Sequence, residues 1–204
     1  MYARSTTIMG DPGSIDAGIA HVRDEILPTV STMDGCLGMS LVVDRETGRC
    51  IATTSWDTAE AISASRGPVT PLRERASEIL GGTSVVEEWE VAAMHRDHVS
   101  HEGCACRITW TRARDLDTTV DFWRGTLLSR FEAMAGFCSA SMLIDRAGNR
   151  TCGTLTFDSQ AALEASREDA AMIREMAARE VGVEFLDVAE FELALGHLRL
   201  PELV

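Results

Sequence analysis

The sequence contains two similar stretches, 101 positions apart. Residues 35–57 read GCLGMSLVVDRETGRCIATTSWD, and residues 136–158 read GFCSASMLIDRAGNRTCGTLTFD. A repeat of this period indicates a duplicated domain rather than a stack of short structural repeats. The chain is therefore expected to fold as two similar halves. The pairs that coincide without a gap are Gly35/Gly136, Asp44/Asp145, Arg45/Arg146, Arg49/Arg150, Asp57/Asp158, Ser65/Ser166 and Arg66/Arg167.

Hydrophobic periodicity predicts the element order β-α-β-β-α-β in each half, which is the order of the ferredoxin-like split βαβ unit. The predicted strands are residues 4–9, 36–44, 49–56 and 85–91 in the first half, and 104–110, 137–145, 150–157 and 184–193 in the second. The first helix carries an apolar stripe formed by Ile15, Ile19, Val22, Ile26, Val30 and Met33. Its counterpart covers residues 115–134, and further helices are predicted over 159–180.

Glycine and proline refine the helices of the first half. Pro28 lies inside the apolar stripe and predicts a kink, because proline removes a backbone donor and clashes with the preceding turn. The next helix is predicted to run through Ala64, with Gly67 and Pro68 breaking it. Pro71 predicts that another helix begins there, with proline at its first position.

The expected organisation is two domains of ordinary size. The first repeat is assigned to residues 1–94 and the second to 104–195, with a linker at 95–103 and a C-terminal tail at 196–204. The helices of a ferredoxin-like unit cover one face of its sheet, so the other face must be buried against a partner. The predicted fold class is therefore α+β, with two tandem ferredoxin-like repeats whose sheets pack into a pseudo-dimeric α+β barrel.

Composition and charge exclude several classes of protein. Hydrophobic residues make up 45% of the chain, which is enough for a core. The formal net charge of −13 disfavours binding to nucleic acid or to an anionic membrane surface. The N-terminus lacks an apolar segment and no run approaches the ~18 residues of a membrane span, so a cytoplasmic location is expected. Six cysteines in a chain of this length do not indicate a disulfide framework.

The hairpin that ends in Trp56-Asp57, followed by a helix of small residues, resembles the dimeric α+β barrel superfamily. The kinked first helix with Leu27-Pro28, and Asp34-Gly35 ahead of the second strand, are similar to its antibiotic-biosynthesis-monooxygenase-like branch. The resemblance covers nearly the whole chain as two tandem copies. It implies a pocket between sheet and helices in each half, used in that family for cofactor-free oxidation of aromatic polyketides, for haem cleavage, or for other small ligands.

The residues linked to haem cleavage in this family are an Asn on the first strand, a Trp after the third strand and a His on the helix beyond it. Residues 4–9 and 104–110 contain no Asn, and residues 57–80 and 158–182 contain no His. Haem ligation is therefore not supported, and no cofactor is expected. Trp56 is the only residue near a family aromatic position, and the preferred interpretation is a large side chain that closes the core.

Two functions of different class stay open. The first is a cofactor-independent monooxygenase that acts on an aromatic or hydrophobic substrate beside Trp56 or Trp110. The second is a non-catalytic ligand-binding or structural protein that keeps the barrel and lacks the family's catalytic residues. In both cases the expected partner is a small hydrophobic or aromatic molecule, and a homo-oligomer of the pseudo-dimer is allowed. No catalytic residue is assigned.

The second half is predicted to fill its pocket with side chains. The gapless comparison matches Trp110, Phe122, Trp123 and Phe131 with Met9, His21, Val22 and Val30 of the first half. Because a ligand cavity needs free volume and an apolar lining, the larger pocket is expected in the first half. The residues proposed to border it are Trp56, Met9, Val22 and Ile26.

Two positions lie off the apolar stripe of the first helix. His21 is expected to face solvent. Phe122, its counterpart, is expected either to contact a second chain or the tail, or simply to be exposed. The matched arginines Arg45 and Arg146, which flank the hairpin turns, are interpreted either as an anion site or, more simply, as local ion pairs.

A run of potential metal ligands lies in and after the predicted linker: His95, His98, His101, Cys104 and Cys106. Zinc motifs usually draw their four ligands from two separated pairs rather than from one short run. A polar linker followed by a core strand is therefore the preferred interpretation, and no metal site is assigned. A chelator is accordingly expected to leave the melting temperature unchanged.

Overall fold

The computed structural model describes residues 1–198 and 201–203. The strands are β1 Tyr2–Met9, β2 Cys36–Val43, β3 Arg49–Trp56, β4 Ser84–Arg96, β5 Ala105–Arg112, β6 Phe137–Asp145, β7 Arg150–Phe157 and β8 Glu184–Leu198. The α-helices are α1 Ile15–His21, α2 Leu27–Ser31, α3 Ala59–Ala64, α4 Arg66–Leu80, α5 Leu116–Phe122, α6 Leu128–Glu132, α7 Gln160–Ala165 and α8 Arg167–Val181. None of the described helices is long and apolar enough to span a membrane.

The first compact unit comprises residues 1–89 together with the described part of 193–200. Its strands are hydrogen-bonded in the order β4-β1-β3-β2, which is the ferredoxin-like order, and the end of β8 lies beside β2. Thr6 and Leu41 are both register partners of Ala52 at the centre of this sheet. The core lies between sheet and helices and includes Ile8, Ile15, Val22, Val30, Met39 and Leu80.

The second unit comprises residues 90–192 and 201–203. Its strand order, β8-β5-β7-β6, is again ferredoxin-like, and the segment of β4 from residue 90 onward pairs with β6. Gly153 stands opposite Thr109 on one side and Met142 on the other. The core here is richer in aromatic residues and includes Trp123, Phe131, Phe137, Phe157, Leu116 and Leu163.

The predicted α+β class with two tandem βαββαβ repeats is confirmed. The closing strands are longer than predicted, because β4 and β8 each contribute residues to both compact units. β4 extends to Arg96, into the segment interpreted as a linker. β8 extends to Leu198, into the segment interpreted as a tail, and residues 199, 200 and 204 lie outside the described residues.

The first long helix of each repeat contains a π-helical turn. This turn covers Val22–Ile26 between α1 and α2, and Trp123–Leu127 between α5 and α6. The second repeat has Ser129 where the first has Pro28. Proline is therefore not the cause of the irregularity, although it follows the turn in the first repeat. Such turns often occur at functional sites, and here both turns bury their first and last side chains.

The predicted helix through Ala64 is confirmed, because α3 ends at that residue. The prediction that the next helix begins at Pro71 is wrong. Helix α4 begins at Arg66, so Gly67 and Pro68 lie in its first turn and Pro71 lies inside it. Pro68 is the third residue of this helix, where a backbone donor has no intrahelical partner in any case.

Candidate ligand-binding site

The second repeat encloses an apolar cavity of about 100 Å³, here called the second-repeat cavity. Trp123 and Leu127 from the π-helical turn form one wall, and Ile173 and Ala177 from α8 form another. The π turn places both of its end residues towards this space. The sheet contributes Thr109, Thr111, Met142, Thr151 and Gly153.

The first repeat encloses an equivalent but smaller cavity of about 60 Å³, the first-repeat cavity. Val22 and Ile26 of its π-helical turn line it, as proposed from the sequence. Their counterparts Trp123 and Leu127 line the second-repeat cavity. The two cavities therefore occupy the same place in the two repeats.

The prediction that the first half holds the larger of these two cavities is wrong. Trp123 and Phe131 do line the second-repeat cavity, as expected from their bulk. The other walls compensate, because Gly153 and Ala170 stand where the first repeat has Ala52 and Val69. A separate polar hollow of about 390 Å³ lies outside the cavity on the second unit, lined by Arg130, Met134, Asp169, Met172, Met176 and Arg179 among others.

Other proposed pocket residues lie elsewhere. Trp56 is fully buried, does not line the first-repeat cavity, and donates a hydrogen bond from Nε1 to Oγ1 of Thr54 at 3.1 Å. Met9 is 55% exposed at the end of β1. Trp110 lies between Thr109 and Thr111, whose side chains line the second-repeat cavity, so it projects from the opposite face of β5.

The match of Trp110 with Met9 is also wrong. In the strand pairing Met9 stands opposite Arg49, and the residue that stands opposite the equivalent Arg150 is Arg112. The first repeat has five residues between β1 and α1, at 10–14, and the second has three between β5 and α5, at 113–115. The gapless comparison cannot follow this difference in loop length.

His21 and Phe122 also differ from expectation. His21 is buried at 5% exposure, with Nδ1 3.2 Å from the carboxylate of Glu25 and Nε2 3.4 Å from the carbonyl oxygen of Leu72. Phe122 packs against the core cluster of the second repeat and lines its cavity. Both side chains therefore serve their own repeat, because the π turn and the facing helix cover positions that a regular helix would expose.

Each cavity has a buried arginine at its polar end. The guanidinium of Arg107 donates to Glu190 at 2.8 Å, to Oγ of Ser166 at 2.8 Å and to the carbonyl oxygen of Leu163 at 2.9 Å. Arg4 makes the same three kinds of contact, with Glu88, Ser65 and Ile62. These networks fix the first strand of each repeat to its last strand and to the paired helices.

A second arginine distinguishes the two cavities. Arg174 lines the second-repeat cavity, and burial lowers its pKa, followed by repulsion from Arg107. Within residues 1–198 and 201–203, no hydrogen bond or ion pair engages its guanidinium. Its counterpart Arg73 lines the first-repeat cavity and donates to Oγ1 of Thr70 at 3.1 Å. Arg174 is thus a cation at an apolar cavity with its donors available.

The hairpin arginines form ion pairs with the first helix of their own repeat. Arg45 lies 2.9 Å from Asp16, and Arg146 lies 3.0 Å from the matched Asp117. Arg150 contacts Asp145 at 3.0 Å across the turn. Local ion pairing across the turn is therefore confirmed for Arg150, whereas Arg45 and Arg146 pair with the first helix instead of fixing the turn.

The run of potential metal ligands is divided by the fold. His95 stacks on Phe137 and lies 2.9 Å from Glu132, and Cys106 lies in β5 with its thiol 3.6 Å from Oγ1 of Thr156. Burial raises the pKa of the Cys106 thiol to about 12. The remaining three residues, His98, His101 and Cys104, gather near Asp158.

The sequence analysis missed the arginine networks and Arg174. The signal was present, because Ser65/Ser166 and Arg66/Arg167 match without a gap and border the networks. Arg4 and Arg107, however, are 103 positions apart, and their partners Glu88 and Glu190 are 102 apart. Only a comparison that allows small gaps aligns them.

Comparison with known proteins agrees with this architecture. Residues 1–67 match the family model described as antibiotic biosynthesis monooxygenase. The chain is similar in fold to an anthrone oxidase-like protein, with a TM-score of 0.64 and 16% identity, over 96% of this chain and 91% of that one.

Two proteins of Mycobacterium tuberculosis strain H37Rv are similar over the full length of the chain. The uncharacterized protein Rv2557 is 52% identical, and the match covers 92% of it. The uncharacterized protein Rv2558 is 50% identical, and the match covers 88% of it. The chain therefore belongs to the same protein family as Rv2557 and Rv2558, and it consists of two tandem ferredoxin-like repeats, the first of which carries the match to the antibiotic biosynthesis monooxygenase model.

Proposed function

We propose that the protein binds a small aromatic or hydrophobic molecule that carries a carboxylate or another oxyanion, and that it does so in the second-repeat cavity. Arg174 is the observation that carries this proposal. A guanidinium loses hydration when it lines an apolar space, and an anionic ligand group restores that loss through charge-assisted hydrogen bonds. The planar fork of arginine suits a carboxylate in particular.

The volume of the cavity limits the size of the ligand. A dry apolar cavity of ~150 Å³ accommodates benzene, whereas drug-sized ligands occupy ~300 Å³ or more. A cavity of about 100 Å³ is smaller than this, so it holds a short branched chain as it stands. A ring such as that of benzoate enters when a wall residue such as Trp123 or Phe131 moves aside.

The polar groups of the cavity favour an oxygen-bearing ligand. Oγ1 of Thr111 and Oγ1 of Thr151 lie 2.7 Å apart on neighbouring strands. The first repeat has Ile8 and Cys50 at these positions. The second-repeat cavity thus offers hydroxyl groups and a guanidinium in an otherwise apolar lining, and this combination orients a ligand.

The test is a binding screen with matched cavity-filling variants. Benzoate and its hydroxylated forms are compared with benzyl alcohol by calorimetry and thermal shift. A Cβ added at Gly153 meets nothing closer than the carbonyl oxygen of Ser141 at 3.9 Å, so Gly153→Leu fills the cavity from a tolerant backbone. Ala52→Leu is the matched change in the first repeat.

We expect benzoate to bind more tightly than benzyl alcohol, Gly153→Leu to abolish binding, and Ala52→Leu to preserve it. Equal loss in the two variants, or equal affinity for the neutral alcohol, contradicts the proposal.

A second candidate function is cofactor-independent oxidation, which the family match over residues 1–67 favours. In this chemistry an acidic CH₂ group of the substrate loses a proton, and the resulting carbanion reduces O₂. One oxygen atom ends as the C=O group of the product and the other leaves as water. Arg174 would stabilise the oxyanion form of the substrate. The measurement is oxygen consumption in the presence of a candidate substrate. Catalysis is supported if oxygen uptake matches product formation and is lost in Arg174→Gln. Binding without oxygen uptake supports the non-catalytic alternative.

A further inference from the structure

A cluster of metal-binding side chain types lies at one end of β6 and β7. Oδ1 of Asp158 is 2.7 Å from Nε2 of His98 and 3.1 Å from Sγ of Cys138. The ligand atoms of His101, Cys104 and Asp158 also lie within 4.8 Å of one another. Five potential ligands from three separate segments of the second unit therefore form two adjacent groups, His98/Cys138/Asp158 and His101/Cys104/Asp158, that share Asp158.

Both histidines are oriented as metal-binding histidines usually are. Nδ1 of His98 lies 2.9 Å from a carboxylate oxygen of Asp97, and Nδ1 of His101 lies 2.9 Å from the carbonyl oxygen of Glu102. An imidazole that binds a metal through one nitrogen commonly has its other nitrogen held by a carboxylate or a carbonyl group. The Nε2 atoms are thus the ones left for coordination.

The two thiols are buried and both lie beside Asp158. Cys104 and Cys138 have no exposed surface, and the thiol of each lies within 4.8 Å of a carboxylate oxygen of Asp158. Two thiolates with two imidazoles form a donor set that selects zinc over magnesium or calcium. Bonds of ~2.0 Å to nitrogen and ~2.3 Å to sulfur place tetrahedral ligand atoms about 3.3–3.8 Å apart, so the side chains move inward when zinc binds.

The fold adds ligands from distant parts of the sequence. His98, His101 and Cys104 belong to one short run, whereas zinc motifs usually draw their ligands from two separated pairs. Cys138 enters from β6, 34 positions after Cys104, and Asp158 follows β7. The first repeat has Asp57 and Leu37 at the matched positions, so it lacks the thiol.

We propose that this cluster binds one Zn²⁺ ion per chain. Its ligands are Nε2 of His98, Nε2 of His101, Sγ of Cys104 and Sγ of Cys138. Asp158 lies between them and accepts hydrogen bonds when the site is protonated. Zinc binding releases these protons and fixes residues 97–104 to the ends of β6 and β7, so the metal stabilises the second unit.

The experiment is a metal titration of the full chain, stripped with a chelator and kept reduced with a phosphine. Zn²⁺ is followed by calorimetry and by the melting temperature, and Co²⁺ by its absorption spectrum. We expect one equivalent of Zn²⁺, a rise of several degrees in melting temperature, and a thiolate-to-cobalt charge-transfer band. Binding below a tenth of an equivalent, or a cobalt spectrum without this band, overturns the proposal.

Variants separate the cluster from other thiols and carboxylates. Cys138→Ser should weaken Zn²⁺ binding at least tenfold and diminish the charge-transfer band. His98→Asn changes a half-exposed side chain, so it gives the same test without disturbing the core. Cys152→Ser and Asp57→Asn are matched controls that should bind normally. Unchanged Zn²⁺ affinity in both Cys138→Ser and His98→Asn overturns the assignment.

Discussion

The two repeats share a fold and the position of a cavity, but they distribute side-chain volume differently around it. In the first repeat the helix contributes the small residues Val22 and Val30, and the sheet contributes Ala52. In the second repeat the helix contributes the bulky Trp123, and the sheet contributes Gly153, which has no side chain. The second-repeat cavity is nevertheless the larger one, at about 100 Å³ against about 60 Å³. The free volume is therefore a property of all walls together.

The difference extends to polarity. Ile8 and Cys50 of the first-repeat cavity are replaced by Thr111 and Thr151 in the second. The second repeat also presents Arg174 without the side-chain hydrogen bond that Arg73 makes in the first repeat. The first-repeat cavity is therefore lined more like an apolar core, whereas the second-repeat cavity has more polar groups available to a ligand.

The largest effect is expected from exchanging the aromatic wall. Trp123→Val removes a buried indole and should lower the free energy of unfolding by about 3 kcal/mol. The reverse change Val22→Trp overpacks the smaller cavity and should cost about 2 kcal/mol. Urea unfolding monitored by circular dichroism measures both. If Val22→Trp leaves the free energy of unfolding unchanged, the first-repeat cavity has more free volume than about 60 Å³.

The next largest effect tests what the repeats have in common. Arg4→Met and Arg107→Met each leave a glutamate without its buried partner, and breaking such pairs is strongly destabilising. Because Glu88 and Glu190 keep some contact with water and keep their second partners, Arg66 and Arg167, we expect about 2 kcal/mol for each variant, below the range for fully buried pairs. A difference of more than about 1 kcal/mol between the two, beyond the usual scatter of single-site effects, would show that the networks are not equivalent.

A smaller effect separates the two lining arginines. Arg174→Gln should weaken binding of an aromatic carboxylate about tenfold, because hydrogen bonds to charged groups contribute more than neutral ones. Arg73→Gln, the matched change in the first repeat, should leave the affinity unchanged. Calorimetry with benzoate measures both variants. Equal affinities of the two variants would remove Arg174 from the proposed site.

The smallest effect is the response to acid, which should be shared by the repeats. The hydrogen bond from Arg66 lowers the pKa of Glu88 and outweighs burial, which raises it. Burial raises the pKa of Glu190, but bonds from Arg167 and Arg107 outweigh it, so this pKa is lowered as well. Their stabilisation is present above the unfolded value of 4.5 and is lost as pH falls below it. Melting curves between about pH 3 and 6 should show this loss, reduced equally by Glu88→Gln and Glu190→Gln.

The sequence by itself determined the duplication, the element order and the family. Identical charged residues at the hairpin turns, such as Asp44 and Asp145, and glycines with positive φ, such as Gly35 and Gly136, act locally. Their spacing is therefore readable without knowledge of the rest of the chain. The helix stripe likewise predicted that Val22 and Ile26 face the core, and both are buried in the structure.

Only the tertiary structure decided which residues of the two repeats correspond outside the repeated stretch. The loop after β1 is two residues longer than the loop after β5, and this displaced Arg4 from Arg107 in a gapless comparison. The volume of each cavity depends on walls that are distant in sequence, so the bulk of Trp123 alone gave the wrong answer. The cluster around Asp158 has the same origin, because β5 and β6 both pair with β7 and thereby bring Cys104 and Cys138 to Asp158 at the end of β7.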